Sequence, residues 1–456
     1  MTLVMALLRS KLIAILIGPA GIGLMGVFNA FNANLATIAG WGLGTSAVRT
    51  VAGAAEGERD RKVAAVRCFG QRLAWAGLLS TLLLFMPIGH LTFKSQDFAL
   101  ELFIAGLAVP CVVVTGMWTA LLQAGGHIGS IARTQVISSV VGLLLGLPFV
   151  YFFASVGVAL SILLAALVTA YVTWRAAARL SPATSTEATP GDLLELTRLG
   201  VVLQIGAVLG AVSTYLVRVL ILRSHGDDLA AGLADAGYYQ AAFAVTGSLP
   251  GVIFSATSSD FYPRVAAAKN EDEARQITEK QIQASMLLAT PFLTALLALG
   301  PWAVRFFYAD GFEPVVPLLD WFTWAIVCNL LGWPLGFWVV ARRSKRVVAL
   351  FQALLSVSMP LLAVFLVPVW GVKGAAIAFF GGALIYMLVL LVMTRWISGA
   401  WIGANTSLRV AISIGILLVA TKASMTFWGV LLFLAVFVGC LFTYLRAMRA
   451  STEEVS

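Results

Sequence analysis

The sequence predicts an all-α polytopic membrane protein of about fourteen transmembrane helices, with two six-helix lobes related by a pseudo-two-fold axis along the membrane normal and two further C-terminal helices. Composition, the spacing of apolar runs and an internal repeat carry that prediction. Of 456 residues, 60% are hydrophobic and only 11% charged, with a mean hydropathy of +0.94, whereas roughly a quarter of the residues of a soluble domain are charged. The 42 glycines and 13 tryptophans suit helices packed closely in a bilayer and anchored by aromatic rings at its surfaces.

A spanning helix takes about 20 mostly apolar residues. Such runs fall at 2–18, 22–46, 68–90, 99–123, 132–153 and 156–174, and after a break at 199–222, 237–262, 281–304, 316–341, 347–367 and 372–394. Two weaker runs follow at 408–422 and 425–445. The expected domains are an N-terminal lobe (1–179), a linker (180–195), a C-terminal lobe (196–396) and a pair of extra helices with a tail (397–456). The break itself, LSPATSTEATPGD from Leu180 to Asp192, is rich in Ser, Thr, Pro and Glu and reads as a solvated connector.

The halves share a register. AGIGLMGVF at Ala20 matches AGYYQAAF at Ala236, VRTVAGAAEGERD at Arg49 matches PRVAAAKNEDEAR at Arg264, and SVGVALSI around Gly157 matches VWGVKGAAI around Gly371, at offsets of 216, 215 and 214. Six helices per repeat is an even number, so both repeats enter the membrane in the same direction and their axis runs along its normal. Rocking two such lobes about a central cleft exposes it to either side in turn, which argues for transport.

The 30 Lys and Arg against 21 Asp and Glu give a net charge of +9, which in this setting reports topology rather than nucleic-acid binding. With a cytoplasmic N-terminus, the outer side holds only Lys94, Arg218, Arg223, Arg305, Lys373 and Lys422; Arg9 and Lys11 lie inside the first span, and every other cation falls on inner loops or ends. The positive-inside rule therefore places both termini in the cytoplasm of a bacterial inner-membrane protein. The N-terminus has no small-residue cleavage site of the kind that ends a removable signal.

Metal, cofactor and nucleotide chemistry find no support. Cys68, Cys111, Cys328 and Cys440 lie in or beside apolar runs without metal or disulfide spacing, and His90, His127 and His225 sit near three different loops. The chain lacks a Walker or Rossmann glycine pattern, a close carboxylate pair and an outer loop beyond about fifteen residues. An integral-membrane glycan polymerase or ligase, which needs such a loop, is the disfavoured reading from another class, and no enzymatic activity is expected.

The run KLIAILIGPAGIGLMG from Lys11 joins the first two spans through Gly18, Pro19, Gly21 and Gly23 and reads as a tight outer hairpin. Together with FNANLATIAGWGLGTSAVRTVAG, AGYYQAAF, SSDFYPRVAAA and LLDWFTWAIVCNLLGWPLGFWVVAR, it resembles the Wzx-type O-antigen and polysaccharide flippases of the multidrug/oligosaccharidyl-lipid/polysaccharide exporter superfamily, over about residues 8–396. The YPR signature at Tyr262, Pro263 and Arg264 favours oligosaccharide flippases over drug exporters. Many members stop after twelve helices, so the last pair looks like an addition.

The resemblance implies a substrate of undecaprenyl pyrophosphate carrying an oligosaccharide, moved from the cytoplasmic to the periplasmic leaflet, with other polysaccharide-assembly membrane proteins as candidate partners. A lipid II flippase or a multidrug exporter of the same fold is the alternative. Sugar hydroxyls cost several kcal/mol each to strip of water and a pyrophosphate cannot cross hydrocarbon bare, so cations are expected at membrane depth. Drug cations would call for carboxylates instead.

Arg9 sits near the middle of the first span, where an unpaired cation costs about 2.5 to 3.5 kcal/mol. Lys11, two positions on, points to another face. The resemblance matches Arg9 to a cation used by lipid II flippases and makes the Lys11 position often basic; phosphate contact and snorkelling are the two readings. Gln204, Ala211, Tyr215 and Arg218 share one face of the seventh span, and the resemblance places an arginine in the setting YLVRVLIL. Arg218 is read as a cleft residue for pyrophosphate, against a snorkelling cation.

Asn29 and Asn32 are i, i+3 neighbours that offer amides to sugar hydroxyls or to a neighbouring helix. Glu101, Asp260 and Asp320 are the acids closest to membrane depth; each is a coupling candidate for an antiported ion or the counter-charge of an arginine. Arg49 and Arg264, related by the repeat, read either as orientation signals or as a gate that pairs across the lobes.

Overall fold

The computed structural model describes residues 2–55, 57–94, 97–180, 188–342, 345–399, 401–423 and 426–453; the side chains of 248–260, with the candidate Asp260, and residues 181–187 of the connector lie outside the described set. The helices are α1 (Thr2–Gly40), α2 (Leu43–Ala52), α3 (Arg59–Phe93), α4 (Ala99–Gly106), α5 (Ala108–Ala124), α6 (Ile128–Leu180) and α7 (Pro190–Arg223). They continue as α8 (Leu229–Ala267), α9 (Glu271–Phe307), α10 (Val316–Arg342), α11 (Lys345–Ser398), α12 (Ala404–Lys422) and α13 (Phe427–Glu453). Among the described residues there is no strand, and nine helices are long and apolar enough to cross a membrane.

Three of these helices are hairpins. Ala154 breaks α6 at φ 44°, and a β-carbon on Gly157 would lie 2.0 Å from the carbonyl oxygen of Phe149; in a straight helix those residues stand about 12 Å apart. Gly371 breaks α11 at φ 54°, where a β-carbon on Gly374 would lie 2.2 Å from the carbonyl oxygen of Leu366. Gly18 breaks α1 at φ 63°, with Pro19 opening the second half, where its fixed φ suits a first helical turn and its missing N–H leaves no bond unmade. Each hairpin supplies two runs and α4 with α5 one, so the order of fourteen helices matches the order of apolar runs.

The hairpins correct the register of the repeat. Ala154 and Gly371 hold the same kind of break, and Gly157 and Gly374, each three residues further on, press on the carbonyl eight residues before them. The equivalence is therefore Gly157 with Gly374, at an offset of 217, and not Gly157 with Gly371. At the other end, Gly23 and Gly237 meet each other at an offset of 214, in place of the expected Gly21 with Gly237. Sequence matching aligned letters, whereas the close backbone approach fixes which glycine has no room for a side chain.

The chain packs as two compact units, Met1–Gly237 and Tyr238–Ser456. In the first, α7 lies against α1, α2 and α3. Its N-terminus is closed by a capping box between Thr189 and Asp192, and Asp192 is clasped by Arg61 at 3.1 Å and Lys62 at 2.9 Å on α3. Further along, Gln204 donates to the carbonyl of Thr37, and the Tyr215 and Thr92 hydroxyls are 2.7 Å apart.

In the second unit a core of Phe261, Ile282, Leu293 and Leu330 surrounds Trp338, whose Nε1 donates to Glu271 at 3.0 Å. Both α12 and α13 pack on α9. Glu279 accepts the backbone N–H of Gly403 and the Thr406 hydroxyl, both at 2.9 Å, and so caps α12 from a neighbouring helix. Large apolar side chains stay exposed over both units, among them Phe152, Trp302, Trp370 and Trp396, as expected of surfaces that face lipid.

Candidate functional site

A cavity of about 490 Å³ opens within the first unit, between both halves of α1 and both halves of α6. Such a volume is typical of a small-molecule site. It forms because the hairpin at Gly18 returns Met25 and Asn29 beside Met5 and Arg9, while the hairpin at Ala154 returns Ala165 and Thr169 beside Gly142 and Ser138. Gly142 lets the halves of α6 approach, since its β-carbon would touch that of Ala165 at 3.3 Å.

Among the described lining residues Arg9 is the one cation, and there is no carboxylate. Its Nη2 donates to the Ser161 hydroxyl at 3.1 Å, so a serine on the second half of α6 steers the guanidinium. Ser10, Asn29, Gln135, Ser138, Ser139 and Thr169 complete the polar lining. Ser138 is only 6% exposed and its hydroxyl has no hydrogen-bond partner within the protein. Such a wall offers a single fixed positive charge, several hydroxyls and two amides, which suits an anion attached to a hydroxyl-rich group.

Of the predicted site residues, the structure brings Arg9 and Asn29 together. Asn32 continues the face of Met25 and Asn29 one turn on, 5% exposed, with neither amide atom hydrogen-bonded within the protein. Lys11, read from the sequence as a second candidate for phosphate contact, is not among the cavity's described lining residues. The α7 stripe is separate: Gln204 and Tyr215 bond to α1 and α3, and Arg218, 7% exposed, donates from Nη1 to the Thr214 carbonyl of its own helix at 3.0 Å.

Glu101 is buried and accepts from Ser155 Oγ at 3.1 Å, beside the break at Ala154, where it ties α4 to the α6 hairpin. Asp320 is exposed near the start of α10, and Arg49 and Arg264 are exposed on α2 and α8. Sequence reasoning missed Gln135, Ser138, Ser139, Ser161 and Thr169. Gln135, Ser138, Ser139 and Gly142 fall at i, i+3, i+4 and i+7 within an apolar run, so the helical period carried that signal.

The family described as polysaccharide biosynthesis protein matches residues 1–269, which include every residue of the cavity. The chain belongs to that family. Among solved structures it is similar to lipid II flippase MurJ in an inward closed conformation, at 15% identity over 98% of this chain and 97% of that one, with a TM-score of 0.68. It is also similar to an inward-facing multidrug resistance MATE family transporter of the MOP superfamily, at 16% identity over 91% and 96% of the two chains and a TM-score of 0.66. A Pyrococcus furiosus MOP superfamily transporter, described as having a binding pocket of reverse polarity, aligns at 14% identity over 90% and 92% with a TM-score of 0.52. Identities this low show a shared fold and no more. Comparison with curated proteins returned no match.

Proposed function

We propose that the protein is a flippase that carries an undecaprenyl-pyrophosphate-linked oligosaccharide from the cytoplasmic to the periplasmic leaflet of the bacterial inner membrane, by alternating access between its two repeats. The observation that carries this reading is the cavity of the first unit, with Arg9 set among hydroxyls and amides and no carboxylate among its described lining residues. A guanidinium in low dielectric holds phosphate oxygens by charge-assisted bonds, and the surrounding hydroxyls and amides replace the water that sugar groups lose. A cationic drug would meet a like charge there and no counter-ion.

Moving about two negative charges outward is favoured by an inside-negative potential, worth about 2.3 kcal/mol per charge per 100 mV. An antiported cation would add to that. Arg218, which lies on α7 apart from that cavity, serves on this reading as a cation that the pyrophosphate meets at another point of its passage, and the chain performs no covalent chemistry.

Reconstitution tests the proposal. Purified protein in vesicles is expected to expose a fluorescent undecaprenyl-pyrophosphoryl oligosaccharide to an external glycosidase under an imposed potential, and Arg9→Gln to lose that exposure. Equal exposure with and without protein overturns the reading.

A further inference from the structure

Ser138 and Asn32, both buried in the first unit, have hydrogen-bonding groups that no protein atom meets. Ser138 is a lining residue of the cavity, and Asn32, although not itself a lining residue, follows Met25 and Asn29 at i+7 and i+3 on the same face of α1. Buried polar groups are almost always paired, and one left unmade costs about 1 to 3 kcal/mol, so both positions call for a partner the chain does not supply. The chemistry of the partner follows from what is unmet. A carboxamide has donors on nitrogen and acceptor pairs on oxygen, and a hydroxyl has one donor and two acceptor sites. Phosphate oxygens at neutral pH only accept, so they would leave Asn32 Oδ1 unsatisfied. A sugar hydroxyl or an acetamido group both donates and accepts.

We infer that Ser138 and Asn32 read the sugar joined to the pyrophosphate, through its hydroxyl or acetamido groups, while Arg9 on the facing half of α1 holds the charged part. This rests on the flippase reading and deepens it: selection of the glycan takes place inside the first unit. Asn32 lies about 4.5 Å further along the helix axis than Asn29, one turn beyond the cavity's lining residues, while Ser138 belongs to the wall itself.

The test uses the full-length protein in nanodiscs and two probes, undecaprenyl pyrophosphate and undecaprenyl pyrophosphoryl N-acetylglucosamine. Ser138→Ala and Asn32→Leu are each expected to cut the preference for the sugar-bearing lipid about tenfold, the equivalent of one lost hydrogen bond of about 1.4 kcal/mol. Arg9→Gln is expected to weaken both lipids and leave their ratio unchanged. Without ligand, Asn32→Leu is expected to unfold at the same or a higher temperature, because it removes a buried amide that no protein group satisfies. An unchanged ratio in both serine and asparagine variants overturns the inference, as does a lowered unfolding temperature for Asn32→Leu, which would assign its amide to an ordered water. Wild-type protein that binds neither probe overturns the flippase reading instead, and the inference with it.

Discussion

Gly23 on the second half of α1 and Gly237 on α8 pack face to face, and the contact is reciprocal. A β-carbon on Gly23 would lie 2.0 Å from the carbonyl oxygen of Leu233, and one on Gly237 would lie 2.0 Å from that of Pro19. Each of those carbonyls belongs to the residue four positions before the partner glycine, so the two helices cross by a local two-fold relation. Neither obstacle is a side chain that can turn away. Gly23→Ala and Gly237→Ala are each expected to cost about 1 to 3 kcal/mol, and the double variant less than their sum, because one displacement of the helices relieves both clashes. Thermal unfolding of the four proteins checks this; strict additivity would mean that the contact is not shared.

Ala154 holds a positive φ of 44° at the break where the second repeat has Gly371 at 54°. An alanine in such a conformation costs about 1 to 3 kcal/mol, partly offset by the greater unfolded-state freedom of glycine. Ala154→Gly is therefore expected to stabilise the protein by about 1 kcal/mol, and Gly371→Ala to destabilise it by a similar amount. Denaturant titration of the purified variants measures both signs.

Burial alone would push the Asp192 carboxyl up, but hydrogen bonds from Thr189 and Lys62 outweigh it and hold the group at about 2, below its ordinary 3.8. A carboxyl depressed on folding stabilises the native state above its unfolded value, and that stabilisation fades as pH falls from about 3.8 towards 2. Asp192→Asn is expected to loosen the start of α7 by about 1 kcal/mol at neutral pH, and the difference from wild type to close near pH 2. Hydrogen exchange over residues 188–197 reads the local opening, and a gap that persists at pH 2 contradicts the assignment.

Arg9 and Arg218 are the two cations proposed for the pyrophosphate. Arg9→Gln is expected to abolish glycan export at unchanged protein level, and Arg9→Lys to restore it in part, because lysine supplies the charge without the planar fork. Arg218→Ala is expected to do the same with partial rescue by lysine. Surface glycan in complemented cells is the readout. Normal export with Arg218→Ala would reduce that arginine to a packing role on α7, where it already bonds the Thr214 carbonyl.

Topology is open to labelling. Cysteines placed at Thr186 and Ser344 are expected to react with an impermeant maleimide only after the inner face is made accessible, and labelling in intact cells would reverse the orientation deduced from the cations.

The number and order of the helices were legible in the sequence because the apolar run is a one-dimensional property: about 20 residues without charge must cross, whatever they later touch. The existence of a repeat was legible for the same reason, as were Arg9 and Asn29, since a polar group in an apolar run stands out. What only the tertiary structure decided depends on neighbours far apart in the chain. The repeat register moved by two residues at Gly23 and three at Gly374, because close backbone approach and not letter matching defines equivalence. Helical period put Gln204, Tyr215 and Arg218 on one face, yet it could not say that this face meets Thr37 and Thr92, nor that Ser138 on α6 joins the cavity of Arg9. A period specifies a face; the identity of what lies opposite is set by how the hairpins fold back, and hydrogen-bond partners exist only once they have.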